Sequence, residues 1–162
     1  MERKPMTPAG YARLQEELKR LKNVERPKAI QDIAEARAHG DLSENAEYDA
    51  AKNAQSLLEG RIKEVEARLS LAQIIDPLDY VGSEKVVFGA KVTLEDTEEG
   101  KESVYQIVGE DEADVKKGLI SCTSPIARGL LGKSLDDTVV IQTPGGRKEF
   151  DIVKVEYVPV GA

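Results

Sequence analysis

Tyr48, Ala51, Gln55, Leu58, Ile62, Val65, Leu69 and Ala72 follow one another at alternating spacings of three and four residues. A repeat of seven puts them in one seam along an α-helix, and such a seam is buried only if a second helix lies against it. The partner precedes it in the chain. Tyr11, Leu14, Leu18 and Leu21 keep the same spacing, and Ile30 and Ile33 resume it beyond Pro27, whose missing backbone donor predicts a kink or a restart. Thr7 followed by Pro8 supplies a capping hydroxyl and a first helical residue that needs no N–H. Gly40 is placed to end this first helix in a left-handed conformation. With so short a connection the two helices must run antiparallel and pack as a hairpin.

Asp76, Pro77 and Gly82 punctuate the end of the second helix. Beyond them the apolar period changes to two. Residues 86–94, 104–108, 139–143 and 150–158 alternate or run in β-branched residues, separated by an acidic turn at 95–102 and by Pro144-Gly145-Gly146. Short helices are expected only at 113–117 and 126–131. The fold class is therefore α+β with two domains: a coiled-coil hairpin over 1–76, a linker at 77–83, an antiparallel sheet with a packed helix over 84–158, and a tail at 159–162.

Composition narrows the functions open to such a chain. The net charge is −7, with 13 basic against 15 acidic residues in 1–80 and 10 against 15 in 81–162. Neither half offers the basic face of an autonomous duplex-DNA binder. Aromatics are 4% and tryptophan is absent, so the cores must be aliphatic and a large aromatic-lined pocket is not expected. Cys122 is the lone cysteine, which excludes an internal disulfide; between Ile120 and Ile126 it reads as a small buried structural thiol in a reducing compartment. No charged start is followed by an apolar run, and nowhere do eighteen apolar residues occur together, so a soluble cytoplasmic protein is expected.

The chemistry-bearing residues gather at the hairpin tip, residues 39–44. Stepping the seam back from Tyr48 and Ala51 lands on Asp41 and Glu44, where acids stand in place of apolar residues. Paired carboxylates suit metal-assisted chemistry, but Mg2+ requires near-octahedral coordination, so two exposed acids would complete a site built mainly by another protein. The same spacing also reads as an Asp capping box at the start of the second helix, the commoner use of such a pair. His39, the only histidine, reads as a solvated neighbour. Arg37 and Lys52 are placed to meet a nucleic-acid phosphate, against the default of ordinary surface charges.

Taken together, AEARAHGDLSENAEY at 34–48, EGRIK at 59–63, SPIARGLLGK at 124–133 and TPGG at 143–146 resemble the Gre family of bacterial transcript cleavage (transcription elongation) factors, over residues 5–158. The resemblance implies a factor that binds RNA polymerase and inserts its coiled coil through the secondary channel. There it stimulates the polymerase's own Mg2+-dependent cleavage of backtracked RNA near the 3′ end. It further implies that Asp41 and Glu44 help hold a shared Mg2+ and position the attacking water, so that the chain is no enzyme by itself and binds no cofactor tightly alone. Basic residues on the coil are implied to contact the RNA 3′ region, and Arg37 and Lys52 are the candidates for that role, as a small spot rather than a broad patch. The C-terminal domain is implied to resemble the FK506-binding-protein fold and to dock on the channel rim through 120–131, with Ser124, Pro125 and Ile126 as contacts. A monomer is expected.

Three competing readings remain open to test. A peptidyl-prolyl isomerase would need an aromatic pocket, for which 81–162 offers only Phe88, Tyr105, Phe150 and Tyr157. A noncatalytic adaptor would dock through the hairpin and tolerate loss of the tip acids. An inhibitory channel binder would carry a denser acidic cluster than the Asp-Leu-Ser-Glu spacing found here.

Overall fold

The computed structural model describes residues 2–39 and 45–161. Contacts divide the chain into two compact units, one of Ala12–Leu71 and one of Met1–Tyr11 with Ala72–Ala162. The helical unit is formed by α1 (Pro8–Arg20), a π-helical turn (Leu21–Glu25), α2 (Arg26–His39) and α3 (Asn45–Leu71).

The seam of α3 is the one its heptads predict. Ile62 and Val65 are fully buried, and Tyr48, Ala51, Gln55, Leu58 and Leu69 are half-buried. The facing strip begins as expected with Leu14, Leu18 and Leu21, but a straight heptad would continue through 28, 32 and 35, and all three are exposed. Burial instead follows Ala29, Ile33 and Ala36, one residue later. The π-turn accounts for the shift. The Arg26 amide donates to the Leu21 carbonyl five residues back, so one extra residue enters the turn just before Pro27. The wider turn accommodates the pyrrolidine ring without ending the helix. Ile33 therefore lies on the seam, whereas Ile30, expected beside it, is 53% exposed.

The second unit contains a two-stranded parallel ladder, β1 (Lys4–Met6) with β2 (Ala72–Ile74), and a five-stranded sheet. The sheet strands are β3 (Lys91–Asp96), β4 (Glu102–Val108), β5 (Leu119–Ser121), β6 (Thr138–Thr143) and β7 (Gly146–Glu156), in the order β5-β4-β3-β7-β6. Neighbours are antiparallel except the edge pair β4–β5, which is parallel. One face carries the core: Val92, Leu94, Ile107, Val139, Ile141 and Ile152 pack under Ala127 and Leu130 of α4 (Pro125–Leu130).

Three local readings are corrected. Residues 86–90 are not strand: Val86 exchanges hydrogen bonds with the 132–133 loop, and Gly89, at φ +93°, turns the chain into β3. A side chain at Gly89 would also lie 2.9 Å from the Pro77 ring. The segment 113–117 forms only a single 3-10 turn, Val115–Lys117, behind another at Glu110–Glu112. Cys122 is half-buried at the edge of the core rather than enclosed; burial raises its thiol above the ordinary value.

The expected boundary at 76 also moves, because β1 pairs with β2 and the Thr7 amide donates to the buried Glu112 carboxylate, tying the N-terminal eleven residues to the sheet unit.

Candidate functional site

Asp41 and Glu44 lie outside the described residues, as does Gly40, so neither the capping arrangement nor the metal geometry is described. The structure does describe the helix ends that lead into the tip. Arg37 on the last turn of α2 and Lys52 on α3 converge on one side chain, Tyr48. The Arg37 Nη2 group donates to the Tyr48 hydroxyl at 3.2 Å, and its guanidinium carbon stands 5.6 Å from the ring centroid. Lys52 Nζ also lies 5.6 Å from the ring. The aromatic quadrupole attracts both cations, which otherwise repel each other. The Arg37 hydrogen bond, helped by the Lys52 charge, holds the Tyr48 phenol below its ordinary pKa.

Sequence reasoning named both cations but treated Tyr48 only as a seam residue. The signal lay in the spacing: Tyr48 and Lys52 are four apart on one helix, and antiparallel packing brings Arg37 across.

Further from the tip, charge closes the hairpin on both sides of the seam. Arg26 forms a two-pronged pair with Glu59 at 2.9 and 2.7 Å, and Arg61 another with Glu17 at 2.7 and 2.9 Å. Lys22 reaches Glu66 at 3.1 Å. The forked guanidinium matches the carboxylate geometry, and the two arginine pairs hold Glu59 and Glu17 below the ordinary carboxylate pKa. The motif at 59–63 is thus partly structural, since Glu59 and Arg61 both reach across to the first helical stretch.

The docking candidates sit where α4 begins. Ser124 Oγ accepts the Ala127 amide at 3.3 Å as the helix cap, Pro125 is exposed at the first position, and Ile126 is half-buried against the sheet core. Of the three, Pro125 alone has a side chain free of an internal task in this arrangement.

Among the described residues no group of three or more His, Cys, Asp or Glu could hold a metal ion, and no helix there is long and apolar enough to cross a membrane.

An α+β chain with a charge-zipped helical hairpin and a separate sheet unit is the class these elements define. Comparison with known proteins makes it specific. Residues 4–74 match the family described as transcription elongation factor, N-terminal, and 81–157 match transcription elongation factor, GreA/GreB, C-term. The transcription elongation factor GreA of Alkalilimnicola ehrlichii is 59% identical over 97% of this chain and 99% of its own length. That of Haemophilus influenzae is 58% identical over 98% of this chain and 100% of its own. A solved structure of GreA factor homolog 1 (Gfh1) from Thermus thermophilus is 30% identical, covers 96% of this chain and 99% of that one, and superposes with a TM-score of 0.44. The chain belongs to the GreA/GreB family of transcription elongation factors, which act with RNA polymerase.

Proposed function

We propose that the chain rescues backtracked transcription complexes by stimulating the polymerase's own cleavage of nascent RNA. The hairpin enters the secondary channel and carries Asp41 and Glu44 to the active centre, while the sheet unit stays at the rim through Ser124, Pro125 and Ile126. The observation that carries this reading is the pairing of an acidic tip with two cations gathered on Tyr48 directly behind it. Acids at the tip suit a shared metal; cations one or two turns behind suit the phosphates of the extruded RNA strand.

Two carboxylates offer the hard oxygen donors that Mg2+ takes, but too few to hold it without further ligands from the polymerase. When bound there, that ion supplies Lewis acidity and lowers the pKa of a coordinated water. Asp41 and Glu44 contribute negative charge and acceptor oxygens that orient the water, and Arg37 and Lys52 hold the RNA backbone in reach. The chain acts as a monomer in the cytoplasm, alongside its polymerase, and has no hydrolytic activity alone.

The deciding experiment is RNA cleavage in a purified backtracked complex with Mg2+, comparing the parent with Asp41→Ala/Glu44→Ala at matched polymerase occupancy. Stimulation by the parent alone supports the reading. Equal cleavage with both proteins, or with neither, leaves a docking factor whose tip acids take no part.

A further inference from the structure

We propose that the free edge of β6 pairs with the same edge of a second copy of this chain, joining the two sheets across a two-fold axis at Val140. β6 ends the order β5-β4-β3-β7-β6, and among the described residues no backbone group bonds to its outer side. The opposite edge strand, β5, has three residues, and so short an edge resists addition. β6 has six, Thr-Val-Val-Ile-Gln-Thr, in unbroken register with β7. It carries none of the charges, prolines or bulges that keep an exposed edge from pairing.

The direction of its hydrogen bonds decides what this edge can accept. The Ile152 amide donates to the Asp137 carbonyl at 2.9 Å, whereas the Glu149 carbonyl faces the other way and accepts the Thr97 amide at 3.1 Å. Successive residues of an antiparallel strand bond to opposite sides. Val139, opposite Phe150, and Ile141, opposite Lys148, therefore bond to β7, while Thr138, Val140 and Gln142 turn their N–H and C=O groups outward. The side chains of these three are exposed on the solvent face, Val140 by 51%, and Val139 and Ile141 are buried in the core.

Self-complementarity selects the occupant. An antiparallel pairing about Val140 sets Val140 against its own copy, Thr138 against Gln142 and Gln142 against Thr138. Every outward N–H and C=O of β6 then has a partner, which no other antiparallel register achieves. The side chains agree with it. The two valines meet on the solvent face, and Val139 of one copy falls opposite Ile141 of the other, which carries the apolar face across the junction. Beyond the strand, Asp137 falls opposite Thr143 and Asp136 opposite Pro144, so no charge faces its like. One strand edge buries less than the roughly 1,200 Å² of a stable complex, so the dimer is weak, with Kd in the ~10–1000 µM range. Dilution returns the monomer proposed above as the working form.

The test is sedimentation equilibrium of the full chain from ~5 µM to ~1 mM, beside two variants. Val140→Pro deletes the N–H on the axis, which faces away from β7, so the β6–β7 ladder is kept. Val153→Lys charges an exposed valine of the interior strand β7 and leaves the edge alone. The proposal expects a reversible dimer for the parent and for Val153→Lys, weakened about tenfold or more in Val140→Pro. Association should strengthen with salt, because each copy carries −7 and screening eases their repulsion. A parent that stays monomeric throughout, a dimer untouched by Val140→Pro, or polymers in place of a closed dimer overturns the proposal. So does a dimer lost in Val153→Lys, which points to stacking of solvent faces, or one that weakens with salt. Should Val140→Pro unfold, cross-linking decides. In a Cys122→Ser background under mild oxidation, Val140→Cys must join to its own copy faster than Thr138→Cys, whose mate across the axis is Gln142. Equal rates, or a faster Thr138→Cys, overturn the pairing.

Discussion

Thr7 caps α1 while Glu112, 105 residues further on, holds Thr7 itself: one carboxylate oxygen accepts the Thr7 amide at 3.1 Å and the other accepts its hydroxyl. The Thr7 hydroxyl in turn accepts the Gly10 amide at 3.2 Å, and Glu112 also takes the Gly109 amide at 3.0 Å. Both side chains are buried. The anion therefore sits at the positive end of a helix with its acceptor capacity used by nearby N–H and O–H groups, which is how a buried carboxylate is tolerated. Glu112→Ala strands two buried amides and is expected to cost about 2–5 kcal/mol, Thr7→Val about 1–2 kcal/mol, and the double variant less than their sum because they share one network. Urea unfolding of the three proteins measures this, and strict additivity would contradict it.

Two glycines are expected to respond with opposite signs to the same substitution. A Cβ on Gly10 would lie 2.4 Å from the Glu112 carboxyl carbon, so Gly10→Ala must displace the capping carboxylate and lower stability. Around Gly60, exposed in the middle of α3, nothing lies within 4 Å. Gly60→Ala therefore adds only helix propensity, about 0.5–1 kcal/mol of stabilisation. Thermal unfolding distinguishes the two, and a destabilised Gly60→Ala would contradict the open surroundings of that position.

The π-turn makes a prediction that an uninterrupted heptad reverses. Because one extra residue before Pro27 turns Ile30 outward, Ile30→Lys should change stability by no more than about 0.5 kcal/mol. Ile62→Ala on the opposing helix removes a buried side chain and should cost about 2–5 kcal/mol. If Ile30→Lys proves as damaging as Ile62→Ala in denaturant, the phase shift is wrong.

Tyr157 ties the end of the sheet to the segment before it, accepting the Val87 amide at 3.0 Å and donating to the Lys85 carbonyl. Burial raises its phenol pKa above the ordinary value of 10.0. A group raised on folding contributes stability that is complete below its unfolded pKa and is lost as pH climbs through the folded one. Stability should therefore fall on the alkaline side of pH 10. Tyr157→Phe should cost about 1–3 kcal/mol at neutral pH and flatten that alkaline fall. Melting temperatures between pH 7 and 11 read both effects.

Much of this architecture is legible in the chain because periodicity reports local geometry. The α3 seam and the strands at 104–108 and 139–143 needed no partner to be recognised. What escaped depends on long-range closure: β1 and β2 are three residues each, too short for a pattern, and exist because they pair with each other. Ile30 was misplaced because heptad counting assumes a constant turn, and the inserted residue leaves no compositional mark beyond Pro27. Glu112 sits in an acidic run, where a buried acceptor looks like its solvated neighbours. At the tip, sequence supplied Arg37 and Lys52 as separate candidates; the antiparallel packing that joins them on Tyr48 is a tertiary fact.

That junction separates the ring of Tyr48 from its hydroxyl. If the aromatic face is what gathers the two cations, Tyr48→Phe loses one hydrogen bond from Arg37 but keeps both cation contacts. Cleavage stimulation at matched polymerase occupancy should then stay within about twofold of the parent, since 1.4 kcal/mol is needed for a factor of ten. Tyr48→Ala removes both contacts and should fall several-fold, and Arg37→Ala/Lys52→Ala should fall further because the charges themselves are gone. Raising salt should narrow the gap between the parent and the double cation variant, as screening weakens phosphate contacts. Should Tyr48→Phe fall as far as Tyr48→Ala, the hydroxyl, and with it the Arg37 hydrogen bond, is the element that arms the tip.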